Sequence, residues 1–231
     1  MVEQRHNKFF GEFLGKFLGD RRLWIFLCFL YLGQGIFCDQ IVAQNVVSDG
    51  TLGTVVIPDS FGYTYTISGG MSPINAPNLF HSIETISLLN GESAYFENQS
   101  YHENIFARVT GTQISRLDGF IKTAFPSNFF LINPNGVEFI NGSLNSVFLG
   151  GGDLIVTTAS DVLFSDQKAF NQTTTAADIN NSLLRITAPI GLKFSQASQS
   201  INVNGSVGDF FSSEAGAIIL AGNGINFGTD Q

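Results

Sequence analysis

Between Phe129 and Phe164 the chain reads FFLINPNGVEFINGSLNSVFLGGGDLIVTTASDVLF: short apolar segments cut every few residues by Asn-Pro, Asn-Gly or Gly-Gly-Gly. No part of this stretch has the three-to-four residue spacing of a helix face. From Gly119 onward, GFIKTA, NFFLINP, GVEFING, SVFLGGG and DLIVTTA follow one another as five strand candidates. A polar interval, Ser165–Asn181, then breaks the series and reads as a loop or insertion. The series resumes with LLRITAP, GLKFSQ, SINVNG, AIILAG and GINFG. Many short strands in succession suit a sandwich, a barrel or a solenoid. The solenoid is favoured by corners rich in Asn and Gly, which accept left-handed backbone. Matched hairpin pairs are few, and single apolar runs recur with no helix between them, as stacked coils require. Turn upon turn, such a coil pairs its backbone in parallel about 4.8 Å apart. Its inward residues form ladders of Ile, Leu, Val and Phe.

Upstream, GTVVIP (Gly53–Pro58) and YTYTISGG (Tyr63–Gly70) are strand-like, and Ser72–Asn78 is a turn cluster. Leu79–Ile83 reads as one helical turn, followed by a tight turn at Asn90-Gly91. NIFARVTG alternates cleanly: Ile105, Ala107 and Val109 face one way, Phe106, Arg108 and Thr110 the other. A stacked coil exposes raw strand edges at its ends unless capped. The segment from Val46 to Gly70 is expected to cap the start. Nothing after Gly228 is suited to cap the finish, so a missing continuation or end-to-end association is expected.

The first 43 residues differ from the rest. A mixed, basic-tipped segment with Arg21-Arg22 precedes the apolar run Leu23–Phe37, the pattern of a signal peptide cut after Ala43. The run is short for a membrane span of about 20 residues, so no stable membrane insertion is expected after cleavage. Of the 231 residues, 44–231 would form the mature domain. Removing residues 1–43 takes away five of eleven Lys/Arg and four of nineteen Asp/Glu, so the net charge moves from −8 to −9. Both cysteines, Cys28 and Cys38, go with it, and an exported chain without cysteine depends on its core and backbone pairing alone. The acidic balance and the absence of a basic patch argue against nucleic acid as a partner.

Enzyme chemistry finds little footing. Gly222, Gly224 and Gly228 lie after an apolar strand, but a dinucleotide loop needs a helix behind its glycines. Without residues 1–43 the histidines are His81 and His102, read as surface or cap residues with no metal-ligand spacing. There is no Gly-x-Ser-x-Gly elbow. Asp153, Asp161 and Asp166 form the nearest approach to the clustered carboxylates of a β-helical polysaccharide lyase or hydrolase, and solvation at coil edges is the expected role. Arg108, Arg116, Lys122, Arg185 and Lys193 read as solvated surface charge. No cofactor or metal is expected. Asn133-Pro134-Asn135-Gly136 is a turn in which Pro134 sets φ, Asn135-Gly136 tolerates positive φ and Asn133 caps by its side chain. Its role is either a corner the coil needs or direct recognition by a partner.

The run from Arg108 to Phe164, RVTGTQISRLDGFIKTAFPSNFFLINPNGVEF and onward through GGGDLIVTTA, resembles the N-terminal secretion domain of the filamentous haemagglutinin family, the exported partners of two-partner secretion. SDGTLGTVVI, YTISGG and NLFHSIETISLLNGESAYFEN resemble the opening of the same domain, so the likeness covers about 44–231. It implies a right-handed parallel β-helix with an N-terminal cap and extra-helical strands. It also implies a secreted or cell-surface product that passes through the periplasm and is recognised there by POTRA domains of an outer-membrane β-barrel transporter. By this resemblance Asn133, Pro134, Asn135 and Gly136 belong to the family's secretion motif. Asn78 and Leu79 lie where relatives carry a second motif, Asn-Pro-Asn-Leu, although Ala76 here replaces the first Asn. Many relatives continue into a long passenger, and this chain stops after Gln231. The rival reading is a stand-alone surface adhesin or matrix protein binding glycan or host protein through the flank of the coil.

Overall fold

The computed structural model describes residues 45–205 and 216–228. The expected signal peptide, its cleavage after Ala43 and both cysteines lie outside the described residues. The described chain is all-β, a β-solenoid of about six turns with a parallel β-helix architecture.

The amino end begins as a lid. Strand β1 (Val46–Ser48) is followed by a hairpin of β2 (Thr54–Pro58) and β3 (Thr64–Gly69), paired antiparallel. Rung one then runs through β4 (Asn78–Ile86) and β5 (Ser93–Phe96). Rung two is β6 (Asn104–Val109), β7 (Ser115–Leu117) and β8 (Phe120–Thr123). Rung three is β9 (Asn128–Ile132), β10 (Val137–Phe139) and β11 (Val147–Phe148). The fourth starts with β12 (Leu154–Thr157) and is then interrupted. The chain leaves the coil for β13 (Asp161–Leu163), β14 (Ala169–Asn171), helix α1 (Ala176–Asn180) and β15 (Gly191–Lys193) before rejoining it at β16 (Ile201–Asn204). The last described rung holds β17 (Ile218–Ala221) and β18 (Ile225–Gly228).

Three faces result. Face one stacks β4, β6, β9, β12 and β17 in parallel, with Leu79, Ile105, Phe129, Leu154 and Ile218 in register. Face two stacks β7, β10, β16 and β18 in parallel, and Leu88 of rung one joins it through a single bridge to Leu117. Face three stacks β5, β8 and β11, with β3 parallel on β5. The lid covers two of the three faces at the amino end: β1 pairs antiparallel with β4, and the β2–β3 hairpin sits on β5. The edge that a bare first rung would expose is thereby paired.

Inside the coil, alternate residues of each strand form one apolar column that includes Ile83, Phe96, Ile105, Phe129, Phe139, Val156 and Val203. A second core lies outside face one. There Phe80, Phe106 and Phe130 stack with ring centroids 4.9 and 4.4 Å apart. The excursion covers them with Val162, Phe164, Phe170, Ile179 and Leu184. Face one is therefore buried on both sides, the condition under which parallel strands lose their polar alternation. Every residue of β6 is buried.

Several expectations change. Leu79–Ile83 is strand, not a helical turn. Leu79 and Ile83 enter the coil while Phe80 enters the outer core, and a spacing of four satisfies period two as well as it satisfies a helix. LLRITAP is not a strand. Ser182 caps a 3-10 turn at Leu183–Arg185 that inserts Leu184 into the outer core. GLKFSQ supplies β15, but as one edge of an antiparallel β14–β13–β15 sheet outside the coil rather than as a rung. The polar interval Ser165–Asn181 is part of a wider excursion bounded by β13 and β15. Its helix is held by a capping box between Thr175 and Asp178.

Candidate functional site

The Asn133–Gly136 corner links β9 on face one to β10 on face two. Asn133 is fully buried and all its polar atoms are engaged. Its carbonyl accepts the Gly136 N–H at 3.0 Å, closing the turn. Its Oδ1 accepts from the Asn135 backbone N–H at 3.0 Å, and its Nδ2 donates to the Gln113 carbonyl and to Ser115 Oγ at 3.0 and 2.9 Å. Asn135 Nδ2 donates to the Gly111 carbonyl at 2.8 Å. On the other side, Pro134 O accepts the Gln199 N–H at 2.9 Å. The corner is thus fastened to the corners of the rungs before and after it. Gly136 has φ 109°, and a Cβ there would sit 3.2 Å from Ser200 O, so glycine is needed for both conformation and space.

Asn78 and Leu79, the second expected motif, occupy the opposite edge of the same face and are also buried. Asn78 heads a ladder of side chains. Asn104 Nδ2 donates to Asn78 Oδ1 at 2.8 Å, and Asn128 Nδ2 donates to Asn104 Oδ1 at 2.9 Å. Asn128 Oδ1 accepts the Asp153 N–H at 2.9 Å, and Asp153 Oδ1 accepts the Ala217 N–H at 2.9 Å. At the head, Asn78 Nδ2 donates to the carbonyls of Leu184 and Thr187 in the excursion. Five rungs are joined by one series of hydrogen bonds, buried at its Asn78–Asn104 head and open to solvent at its Asp153–Ala217 end. Leu79 belongs to the inner core. The two motifs therefore bracket face one: the ladder starts its strands and the corner ends β9.

The ladder escapes a motif reading, although its signal is in the sequence. Asn78-Leu79-Phe80, Asn104-Ile105-Phe106, Asn128-Phe129-Phe130 and Asp153-Leu154-Ile155 repeat one pattern at intervals of 26, 24 and 25 residues. The polar residue opens the rung, the next enters the coil, and the third enters the outer core.

Arg108 is another correction. It is 3% exposed rather than solvated. Its Nε donates to Ser82 Oγ at 2.8 Å, one terminal nitrogen donates to the carbonyls of Asn171 and Thr174, and the other reaches Thr51 Oγ1 at 3.3 Å. Asp49 completes the node through Ser82 and Thr110. Burial pushes the Asp49 carboxyl up, but hydrogen bonds from Ser82, Thr51 and Thr110 outweigh it and hold the group below the usual range. Lid, coil and excursion thus meet at one guanidinium.

The histidines are buried too, His81 beneath the lid and His102 beside Ser72 and Tyr101. His81 faces the inner core edge-on to Phe96, and Thr54 Oγ1 lies 3.4 Å from its Nδ1. That hydroxyl also accepts the Ser82 N–H. The other ring nitrogen, Nε2, is buried and has no hydrogen-bond partner. His102 bridges Ser72 Oγ and the Gln99 N–H. Burial, reinforced by His102, pushes the His81 pKa down to about 3, and burial also lowers that of His102. As pH falls below about 6.5, the unfolded chain takes up these protons and the folded one does not. The His81 contribution to stability is therefore complete above pH 6.5 and lost down to about pH 3, at about 1.4 kcal/mol per pH unit. Urea midpoints at pH 7 and pH 5 should show a fall of about 2 kcal/mol from this group, removed in His81→Leu. Equal falls in both proteins would contradict it.

Asp153, Asp161 and Asp166 do not converge on a cleft. Asp161 accepts from Asn171 Nδ2, Asp166 accepts the Leu183 N–H, and Asp153 ends the ladder. Among the described residues no group of three His, Cys, Asp or Glu could hold a metal, and no helix is long and apolar enough to cross a membrane.

The family model described as the TPS secretion domain matches residues 44–230. No curated protein and no solved structure matches the chain.

Proposed function

Because the chain belongs to the TPS secretion-domain family, whose members are exported in two-partner secretion, we propose that residues 44–231 are recognised in the periplasm by POTRA domains of a cognate outer-membrane β-barrel transporter. Residues 1–43 serve as a cleaved signal peptide for the first membrane. The single observation that carries this reading is a family match spanning the whole described coil.

The geometry supports a mechanism of alternating partners. A strand can add to the edge of a POTRA sheet only while its own N–H and C=O groups are free, because strand addition binds through the main chain. In the coil those groups pair with the rungs on either side, as in β6 between β4 and β9. Docking and coil formation therefore compete for the same backbone atoms. The transporter holds an extended chain, and formation of the coil at the cell surface withdraws that chain from it. Burial of the inner core then biases movement outward without nucleotide hydrolysis. The Asn133–Gly136 corner and the Asn78–Leu79 ladder head act here by making that coil.

A soluble fragment bearing the transporter's POTRA domains, mixed with the chain freshly diluted from urea, should retain it. The same fragment should release or ignore the fully folded chain. No binding by the diluted chain would remove the proposal, and equal binding by both forms would remove the competition.

A further inference from the structure

We infer that the excursion from Asp161 to Lys193 is a closing strap, joined with the first three rungs in one cooperative unit, so that the amino-terminal half of the coil is completed only by residues from far later in the chain. A solenoid ordinarily sums nearest-neighbour contacts and grows from any completed rung. Three contacts here break that rule. The buried Asn78 amide, head of the ladder, finds its acceptors at Leu184 and Thr187, 106 and 109 positions away. The buried Arg108 guanidinium finds two of its acceptors at Asn171 and Thr174. The Phe80–Phe106–Phe130 stack is covered by Phe164 and Phe170, with Phe170 only 4.8 Å from Phe80. Without the strap, rungs one to three expose a phenylalanine face, an amide and a charge without these partners.

The dependence is mutual. The strap has three strands of three residues each and a five-residue helix, too little to hold together alone. Its own core consists of the side chains it presses onto face one. Completion of rungs one to three therefore waits for Thr187. On the transport reading above, the phenylalanine face stays uncovered until that residue has also reached the cell surface.

Hydrogen exchange on the purified chain, with no transporter present, tests this independently of POTRA recognition. Phe170→Ala should speed exchange tenfold or more in β4, β6 and β9 together with the strap. Leu220→Ala, a truncation in the last described rung of a side chain packed against the inner core, should leave β4, β6 and β9 unchanged. Acceleration confined to residues 161–193 would overturn the inference. If Phe170→Ala does not fold, Leu184→Ala is judged by the same map and the same two outcomes.

Discussion

Asn133→Val is expected to cut the amount of chain in the culture medium tenfold or more while export to the periplasm stays normal. Valine is apolar, branched at Cβ and one heavy atom smaller than asparagine, and it makes none of its bonds. Gln113 O, Ser115 Oγ and the Asn135 N–H each lose a partner in a site where Asn133 has no solvent exposure. Ser115 is buried while Gln113 is exposed and Asn135 half-buried, so the change removes about 1–3 kcal/mol, the cost of one buried polar group left unpaired. Whole domains hold only about 5–15 kcal/mol. Asn135→Val should have a smaller effect of the same sign, since its side chain, only half-buried, donates to Gly111 O on the preceding rung and to Asn133 Oδ1 within the turn. Comparing secretion with urea stability separates the two roles of the corner. Loss of both marks a folding role. Lost secretion with unchanged stability marks direct recognition. Normal secretion of both variants would remove the weight placed on this turn.

Arg108→Met is expected to destabilise the folded chain by about 2–5 kcal/mol, because the buried acceptors at Ser82 and Thr174 are left unpaired at about 1–3 kcal/mol each. The methionine keeps the apolar stem against Phe170, over which the guanidinium sits at 5.1 Å. It gives up the contacts with Ser82, Thr51, Asn171 and Thr174. Arg108→Lys should recover less than half of the loss, because the three donors of one compact ammonium cannot reach four diverging acceptors as the longer planar fork does. Urea midpoints measure both, and a loss below 1 kcal/mol for Arg108→Met would show that the node is dispensable.

Much of the coil was legible from punctuation. Asn-Gly and Gly-Gly-Gly marked corners where the backbone needs left-handed angles, as at Gly136, Gly150 and Gly151. The apolar runs between them became β8 to β12 and, later, β16 to β18. The excursion was legible only as a polar gap, because Phe164, Phe170, Ile179 and Leu184 are spaced irregularly and gain meaning only against Phe80, Phe106 and Phe130. His81, His102 and Arg108 misled for the same reason: polar side chains read as exposed when the elements that bury them lie tens of residues away. The Asn133 turn was legible as a turn. Its bonds to Gly111, Gln113 and Ser115 were not, since a stacking partner is one rung away in space and about twenty residues away in sequence.

The decisive comparison is secretion in cells with and without the transporter. The chain should reach the medium only when the transporter is present. In its absence the chain should gather in the periplasm with residues 1–43 removed. Equal amounts in the medium in both strains would contradict it and leave a parallel coil that reaches the surface by another route.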